Sequence, residues 1–132
     1  MIVDTSAVLA VLLQEPDAGT IAQALETAAR RLVSAVSVLE AAIVLTARKG
    51  GSGVQQLDLL LSVGGFEIVP FDAEQAFAAR EAFERFGKGR HPAALNFGDC
   101  AVYALAATRA MPLLFKGNDF ARTDIASVRT PG

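Results

Sequence analysis

The sequence predicts an α/β fold, in which helices cover both faces of a central, mostly parallel sheet of four to five short strands. The first reason is that short apolar runs alternate with longer helical stretches, a pattern typical of parallel strands joined by helices. The second is composition, since 52% of the 132 residues are hydrophobic and 20% are charged. Such a chain can bury one sizeable core but is too short for two. We therefore expect a single domain over residues 1–132 and exclude an intrinsically disordered chain.

The first half of the chain is predicted to form two strands and four helices. Ile2 and Val3 make a short apolar strand, and Asp4 can cap a helix that ends before Pro16. An alanine-rich stretch predicts the second helix, and an apolar pair predicts the second strand. Two further helices each end at paired glycines, as helix C-termini often do. The predicted bounds are 2–3 and 32–33 for the strands, and 6–14, 17–29, 37–49 and 54–63 for the helices.

The second half begins with an apolar run at 66–70 that predicts the third strand, followed by a helix over 73–85. Residues 86–92 are predicted to be a mobile loop because they combine two glycines, a proline and several cationic side chains. Asn96 can cap a helix that runs to residue 109. A buried strand over 112–115, a turn over 116–120 and a last short strand beginning at Val128 complete the prediction.

The N-terminus and the cysteine content indicate where the protein works. Cys100 is the only cysteine and cannot form an internal disulfide, so nothing points to an oxidising compartment. The first residues lack the basic region of a signal peptide. The uncharged apolar stretch at 7–13 is far shorter than the roughly 18 residues of a membrane span. We therefore expect a cytoplasmic protein with no membrane association.

Four acidic residues are predicted to lie near one edge of the sheet. Asp4 follows the first strand, and Asp119 closely follows the strand at 112–115. Glu40 and Asp99 are expected in the first turns of their helices. Because ligand sites in parallel sheets lie outside the carboxyl ends of the strands, these four carboxylates are expected to converge there.

The neighbours of the two helical acids point to a metal ion. Three, four and seven positions further on, the residues are apolar in both cases: Ile43, Val44 and Ala47 after Glu40, and Val102, Tyr103 and Ala106 after Asp99. An unpaired charge on an apolar face is costly, and several close carboxylates cannot all ionise without a cation. Mg²⁺ or Mn²⁺, as one or two ions, suits an all-oxygen site of this kind. Such a site supports hydrolysis of phosphodiester bonds.

Helix capping is the alternative explanation for each acid taken singly. Ser37 and Glu40 have the spacing of a capping box, and so do Asn96 and Asp99. Asp4 can be a helix cap, and Asp119 can be a turn residue. The coincidence of all four at one expected edge favours a functional site.

Four segments of the chain resemble the motifs of the PIN-domain ribonucleases, and in size and order they are most similar to the VapC toxins of bacterial type II toxin–antitoxin pairs. The likeness covers essentially the whole chain, and the four segments occur in the family's order. They are Ile2-Val3-Asp4-Thr5-Ser6-Ala7, Ser37-Val38-Leu39-Glu40, Asn96-Phe97-Gly98-Asp99-Cys100 and Leu114-Phe115-Lys116-Gly117-Asn118-Asp119-Phe120.

The resemblance implies a PIN-like three-layer fold and a metal-dependent endoribonuclease that acts as a toxin on RNA. It also implies a homodimer that a cognate antitoxin holds inactive. Asp4, Glu40, Asp99 and Asp119 match the family's acidic quartet, and the hydroxyl of Thr5 or Ser6 matches the polar residue that supports the metal. The last motif departs from the pattern, because close relatives often have Gly-Asp-Asp-Phe where this chain has Asn118 before Asp119.

Basic and leucine-rich segments are candidates for binding partners. Arg85, Lys88 and Arg90 lie in or beside the glycine-containing loop, and Lys116 follows a strand, so these side chains can hold an RNA backbone. A solvated loop with incidental charge is the alternative. The leucine-rich run 57–61 is expected in the core, and a dimer or antitoxin surface is its alternative.

Two other function classes are the alternatives to a ribonuclease. A catalytically silent PIN-like module that binds a protein or RNA would account for Asn118 and for the net charge of −2. A phosphotransfer domain is disfavoured, because no Asp-x-Asp pair follows the first strand. The net charge does not exclude RNA: setting four acids apart from the fourteen leaves ten against twelve basic residues, a balance of +2.

Overall fold

The computed structural model describes residues 1–128, which form an α/β domain of short strands and longer helices. The strands are β1 Ile2–Val3, β2 Leu32–Ser34, β3 Glu67–Val69 and β4 Leu113–Leu114. The helices are α1 Thr5–Leu12, α2 Ala18–Thr27, α3 Ala35–Lys49, α4 Gly51–Val63, α5 Ala73–Phe86 and α6 Phe97–Arg109. A short 3₁₀ helix, Asp119–Arg122, follows β4.

The four strands form one parallel sheet in the order β3-β2-β1-β4. Ile2 of β1 is in register with Leu32 of β2 on one side and with Leu113 of β4 on the other. This confirms the predicted fold class. Because β1 and β4 are adjacent and parallel, the segments that follow them lie side by side at the carboxyl edge of the sheet.

Alternate residues of the central strands enter two separate cores, as the two-residue period of a strand requires. Ile2, Leu32 and Leu113 pack with α5 and α6 on one face of the sheet. Their successors Val3, Val33 and Leu114 pack with α1 to α4 on the other face. All of these side chains are almost fully buried, which explains why strands of two or three residues suffice to hold the layers together.

Several predicted boundaries are wrong by one to three residues, and three of the differences have a clear local reason. The third helix begins at Ala35 rather than at residue 37, because Ser34 accepts the Val36 N–H at 3.2 Å and caps it. The fourth begins directly after Gly50, whose φ of +65° turns the chain between α3 and α4. Part of the predicted turn at 116–120 is the start of the 3₁₀ helix.

The loop and the last strand also differ from the expectation. The loop after α5 is closed at its base, where the Lys88 N–H donates to the Leu95 carbonyl at 3.0 Å. The strand predicted from Val128 is reduced to one parallel bridge between Ser127 and Leu113. The rest of that predicted strand lies outside the described residues.

Within residues 1–128, no helix combines the length and the apolar character needed to cross a membrane.

Candidate metal and active site

Asp4 is buried at the carboxyl end of β1 and caps α1. Its Oδ2 accepts the Ser6 backbone N–H at 3.0 Å and the Ser6 hydroxyl at 2.6 Å. The Ser6 hydroxyl also accepts the Lys116 N–H at 2.9 Å, so one side chain connects Asp4 to the segment after β4. The capping alternative is therefore confirmed for Asp4. It uses one carboxylate oxygen and leaves Oδ1 for another contact.

Glu40 lies in the second turn of α3, not in the first as predicted, because that helix begins earlier. The capping box with Ser37 is wrong, since Ser37 is buried inside the helix. The Glu40 side chain is held instead by Thr5, whose hydroxyl donates to Oε1 at 2.9 Å. Thr5 and Ser6 thus orient two different acids.

Asp99 forms the predicted capping box at the start of α6. The Asp99 N–H donates to Asn96 Oδ1 at 2.9 Å, and the Asn96 N–H donates to Asp99 Oδ2 at 3.1 Å. A cap and a functional role are compatible here, because the capping bond uses only one carboxylate oxygen. Capping fixes the direction in which this half-buried side chain points.

Asp119 and Asn118 are exposed at the start of the 3₁₀ helix after β4. Asp119 is close enough to Asp99 for its charge to influence that residue. The structure gives neither side chain a tight hydrogen-bonding environment comparable to that of Asp4.

The electrostatics show that the acids influence one another. Burial raises the pKa of Asp99 to about 6, and the charges of Asp4, Asp119 and Glu40 raise it too, against the capping bond from Asn96. Burial also raises the pKa of Asp4; hydrogen bonds from Ser6 oppose this rise, and the charge of Glu40 adds to it. Contacts bring Glu40 to Thr5 and Gly98, the direct neighbours of Asp4 and Asp99, and the charge of Asp119 extends to Asp99.

This donor set has the chemistry that a divalent cation requires. None of the ion pairs within residues 1–128 involves these four acids, so their negative charge is not neutralised by a basic side chain in the described chain. Carboxylate and hydroxyl oxygens are the donors that Mg²⁺ and Mn²⁺ prefer. In residues 1–128, however, no three Asp, Glu, His or Cys side chains are grouped closely enough to surround one ion.

The basic residues predicted to contact RNA largely have partners within the chain. Arg85 pairs with Asp124 at 3.1 Å and donates to the Tyr103 hydroxyl, which itself bonds to Asp124. Lys116 bonds to Glu15 at 2.8 Å and lies 3.2 Å from Asp17. Arg90 donates to the Glu84 carbonyl at 3.2 Å, and Lys88 is exposed in the loop.

The apolar surroundings of the two helical acids differ. Val102, Tyr103 and Ala106 after Asp99 are buried, as the pattern predicts. The face of α3 around Glu40 is apolar but open: Ile43 is 60% exposed and Leu39 is 63% exposed. Phe97, which precedes Gly98 on α6, is 76% exposed. The site therefore has an apolar border facing solvent.

A second apolar surface is concave and lies between α1, α2 and α4. It forms a cleft of about 720 Å³ whose walls include Leu25, Leu60, Val63 and Phe66. Within the leucine-rich run, Leu57 and Leu61 are buried as expected, whereas Leu59 lines this cleft and is 62% exposed.

The parallel sheet in the order β3-β2-β1-β4, with helices packed on both faces, defines an α/β domain. The PIN domain family matches residues 1–126 of the chain. Among curated proteins, ribonuclease VapC30 of Mycobacterium tuberculosis is 50% identical over 131 residues, which are 99% of this chain and 100% of that protein. Ribonuclease VapC of Mycolicibacterium smegmatis is 49% identical over 128 residues, covering 97% and 99%. The chain therefore belongs to the VapC ribonucleases of the PIN-domain family.

Solved structures agree on the fold. VapC20 of Mycobacterium tuberculosis, described as a sarcin–ricin loop cleaving toxin, has a TM-score of 0.81 at 18% identity, covering 97% of this chain and 98% of that one. A toxin–antitoxin complex from Klebsiella pneumoniae has a TM-score of 0.72 at 20% identity, covering 96% and 95%. At these identities the likeness concerns the fold.

Proposed function

We propose that this protein is a Mg²⁺- or Mn²⁺-dependent endoribonuclease toxin whose metal site uses Asp4, Glu40, Asp99 and Asp119. The observation that carries the proposal is the shared sheet edge. There, Asp99 experiences the charges of the other three acids, and no ion pair within residues 1–128 neutralises them. The ribonuclease names of the VapC relatives support the class of reaction.

The chain's own residues prepare the site by fixing one oxygen of each main acid. Ser6 fixes Asp4 Oδ2, Thr5 fixes Glu40 Oε1, and the Asn96 N–H fixes Asp99 Oδ2. One oxygen of each of these carboxylates is therefore held in place, which restrains the side chains that would hold the cation. A bound divalent ion supplies the charge that activates water and stabilises phosphate oxygens during phosphodiester hydrolysis.

Cleavage of RNA by the purified protein tests the proposal directly. With Mg²⁺ or Mn²⁺, the wild type should cut a labelled cellular RNA mixture, and a chelator should stop it. Asp4→Asn and Asp99→Asn should each lower the rate at least about a hundredfold, because each removes charge needed to hold the ion. Asp58→Asn is a suitable control, since Asp58 is an exposed acid on α4 outside the site.

Undiminished cleavage by both site variants would refute the assignment of the site. A wild type that neither cuts RNA nor binds Mn²⁺ would favour the silent binding module instead.

We also propose that a cognate antitoxin inserts an apolar segment into the cleft between α1, α2 and α4. The cleft is concave, its walls are largely apolar, and Glu26, Arg31 and Lys49 supply charged groups among its lining. Such a groove fits an amphipathic helix from a smaller partner. The Klebsiella pneumoniae neighbour is a toxin–antitoxin complex, which supports a partner of this type.

We assign self-association to the apolar border of the acid site. Leu39, Ile43 and Phe97 are exposed and flank Glu40 and Gly98, so a dimer formed through them would bring two acid sites close together. Two sites side by side would form a longer groove for RNA in the cytoplasm. We propose that Lys88 and Arg90, in the loop after α5, contribute positive charge to this groove.

A further inference from the structure

We propose that Gly98 is a positioning residue: because it has no side chain, the Glu40 carboxylate can occupy the space against its backbone, beside Asp99. This inference rests on the proposed function, because it concerns how Glu40 reaches the acid site. It adds to the carboxylates a residue that has no polar side chain of its own.

The geometry at Gly98 shows why glycine is needed. A Cβ added to Gly98 would lie 2.6 Å from both Cδ and Oε1 of Glu40, and closer still to Oε2. Ordinary carbon contacts begin well beyond that distance. All three of the nearest atoms belong to the carboxylate of Glu40. The group therefore lies directly against the backbone at the start of α6.

Backbone conformation gives no other reason for glycine at this position. Gly98 lies in the first turn of α6 and is not among the glycines with positive φ. In a helix, glycine is less favourable than alanine. The chain therefore carries a locally unfavourable residue, and the function that explains it is the close approach of Glu40.

Thr5 and Gly98 together restrict the Glu40 carboxylate. The hydroxyl of Thr5, the first residue of α1, donates to Glu40 Oε1 at 2.9 Å. On the side of α6, Gly98 leaves room for the carboxylate. Gly98 is also followed directly by Asp99, whose environment the Glu40 charge affects. A methyl group added at residue 98 would leave the fold largely unchanged, because the flexible Glu40 side chain can move away. The Glu40 carboxylate would then no longer lie against residue 98.

Gly98→Ala tests the proposal, with Gly19→Ala as the matched control. Gly19 lies in the first turn of α2, and a Cβ added there meets nothing within 4 Å. We expect Gly98→Ala to lower kcat for RNA cleavage about ten- to a hundredfold with little change in KM, as misplacement by about 1 Å can do. Mn²⁺ affinity measured by calorimetry should fall as well. Gly19→Ala should retain wild-type activity and affinity.

Thermal unfolding tests the contact independently of activity. In a Glu40→Ala background, the space against residue 98 is free, so Gly98→Ala should raise Tm as alanine favours the helix. With Glu40 present, that gain should be reduced or reversed. Equal shifts in both backgrounds, or wild-type kcat and Mn²⁺ affinity for Gly98→Ala, would overturn the proposal.

Two outcomes need separate readouts. If Gly98→Ala does not fold alone but folds with Glu40→Ala, the conflict lies at Glu40. RNA cleavage is then compared between Glu40→Asp and the double variant Gly98→Ala/Glu40→Asp. Their rates should differ less than threefold, because the shorter side chain no longer reaches the space against residue 98. If the wild type neither cleaves RNA nor binds Mn²⁺, the proposed function fails, whereas the unfolding comparison still decides the role of Gly98.

Discussion

At the scale of single residues, the carboxylates proposed to hold the metal ion lower the stability of the metal-free protein. Asp4 is buried, and Asp99 is half-buried near three other acids. Each is oriented through one oxygen by a neighbouring donor. A site of this kind destabilises the metal-free protein, because like charges are held together without a compensating cation.

Asp99 gives this cost a measurable pH dependence. Its pKa is about 6 in the folded protein against an ordinary value of 3.8, so the folded state keeps a proton that the unfolded state has already released. Its contribution to stability is therefore lost as pH rises from about 4 to about 6. Because the side chain is partly exposed, solvent screening reduces the loss to about 1 kcal/mol.

We expect metal-free Asp99→Asn to match the wild type in urea unfolding near pH 4 and to be about 1 kcal/mol more stable at pH 7. The asparagine can still accept the Asn96 N–H, so the cap is retained. Added Mn²⁺ should stabilise the wild type at pH 7 and leave the variant unchanged. Equal stabilities of the two metal-free proteins at pH 7 would show that Asp99 is not held at a raised pKa.

At the scale of secondary structure, the capping box at the start of α6 both caps the helix and orients the Asp99 side chain. The Asn96 side chain satisfies the Asp99 N–H, and the Asn96 backbone holds the Asp99 carboxylate. The same kind of cap occurs on α5, where Asp72 accepts the Gln75 N–H at 3.0 Å. The α5 cap has no acid of the site attached to it.

Asn96→Ala and Asp72→Ala should therefore separate capping from function. Each removes one side-chain cap and should lower the free energy of unfolding by about 1 kcal/mol. Only Asn96→Ala should also lower RNA cleavage, by about tenfold, because Asp99 loses the restraint on its backbone. Similar activity losses in both variants, measured at a temperature where both are folded, would contradict this separation.

At the scale of the whole molecule, two apolar surfaces remain uncovered and have different shapes. The cleft between α1, α2 and α4 is concave, whereas the border of the acid site presents exposed side chains of α3 and α6. Leu59 and Ile43 represent the two surfaces and have nearly equal exposure, 62% and 60%. Charged substitutions at these positions therefore change the surfaces with similar effects on the fold.

Leu59→Glu and Ile43→Glu should each lose a different association. We expect Leu59→Glu to weaken binding of the cognate antitoxin at least about tenfold in calorimetry while the protein stays dimeric, since a charge in an apolar groove is unfavourable. Ile43→Glu should sediment as a monomer in analytical ultracentrifugation and still bind the antitoxin. Loss of both associations in one variant, or of neither, would contradict the assignment of the two surfaces.

Much of the architecture follows from local signals in the chain. Alternating strands and helices, the caps Asp4 and Asn96, and the terminating glycines predict the element order and the parallel sheet. The sequence pattern favours Ser37 as the cap because of its spacing to Glu40, whereas the structure uses Ser34, directly at the end of the strand. The predicted strand from Val128 is reduced to a single bridge at Ser127, because apolar character alone does not establish pairing.

The sequence by itself determined the class of fold and the family, and it predicts the four acids as candidate ligands, because periodicity, caps and motif order are properties of neighbouring residues. Only the tertiary structure decided which carboxylate oxygens accept hydrogen bonds and which residues donate them. Thr5 reaches Glu40, Ser6 connects Asp4 to Lys116, Gly98 makes room for a carboxylate from another helix, and Arg85 pairs with Asp124. These contacts join residues far apart in the chain, and their distances depend on how the helices pack on the sheet, which no local pattern contains.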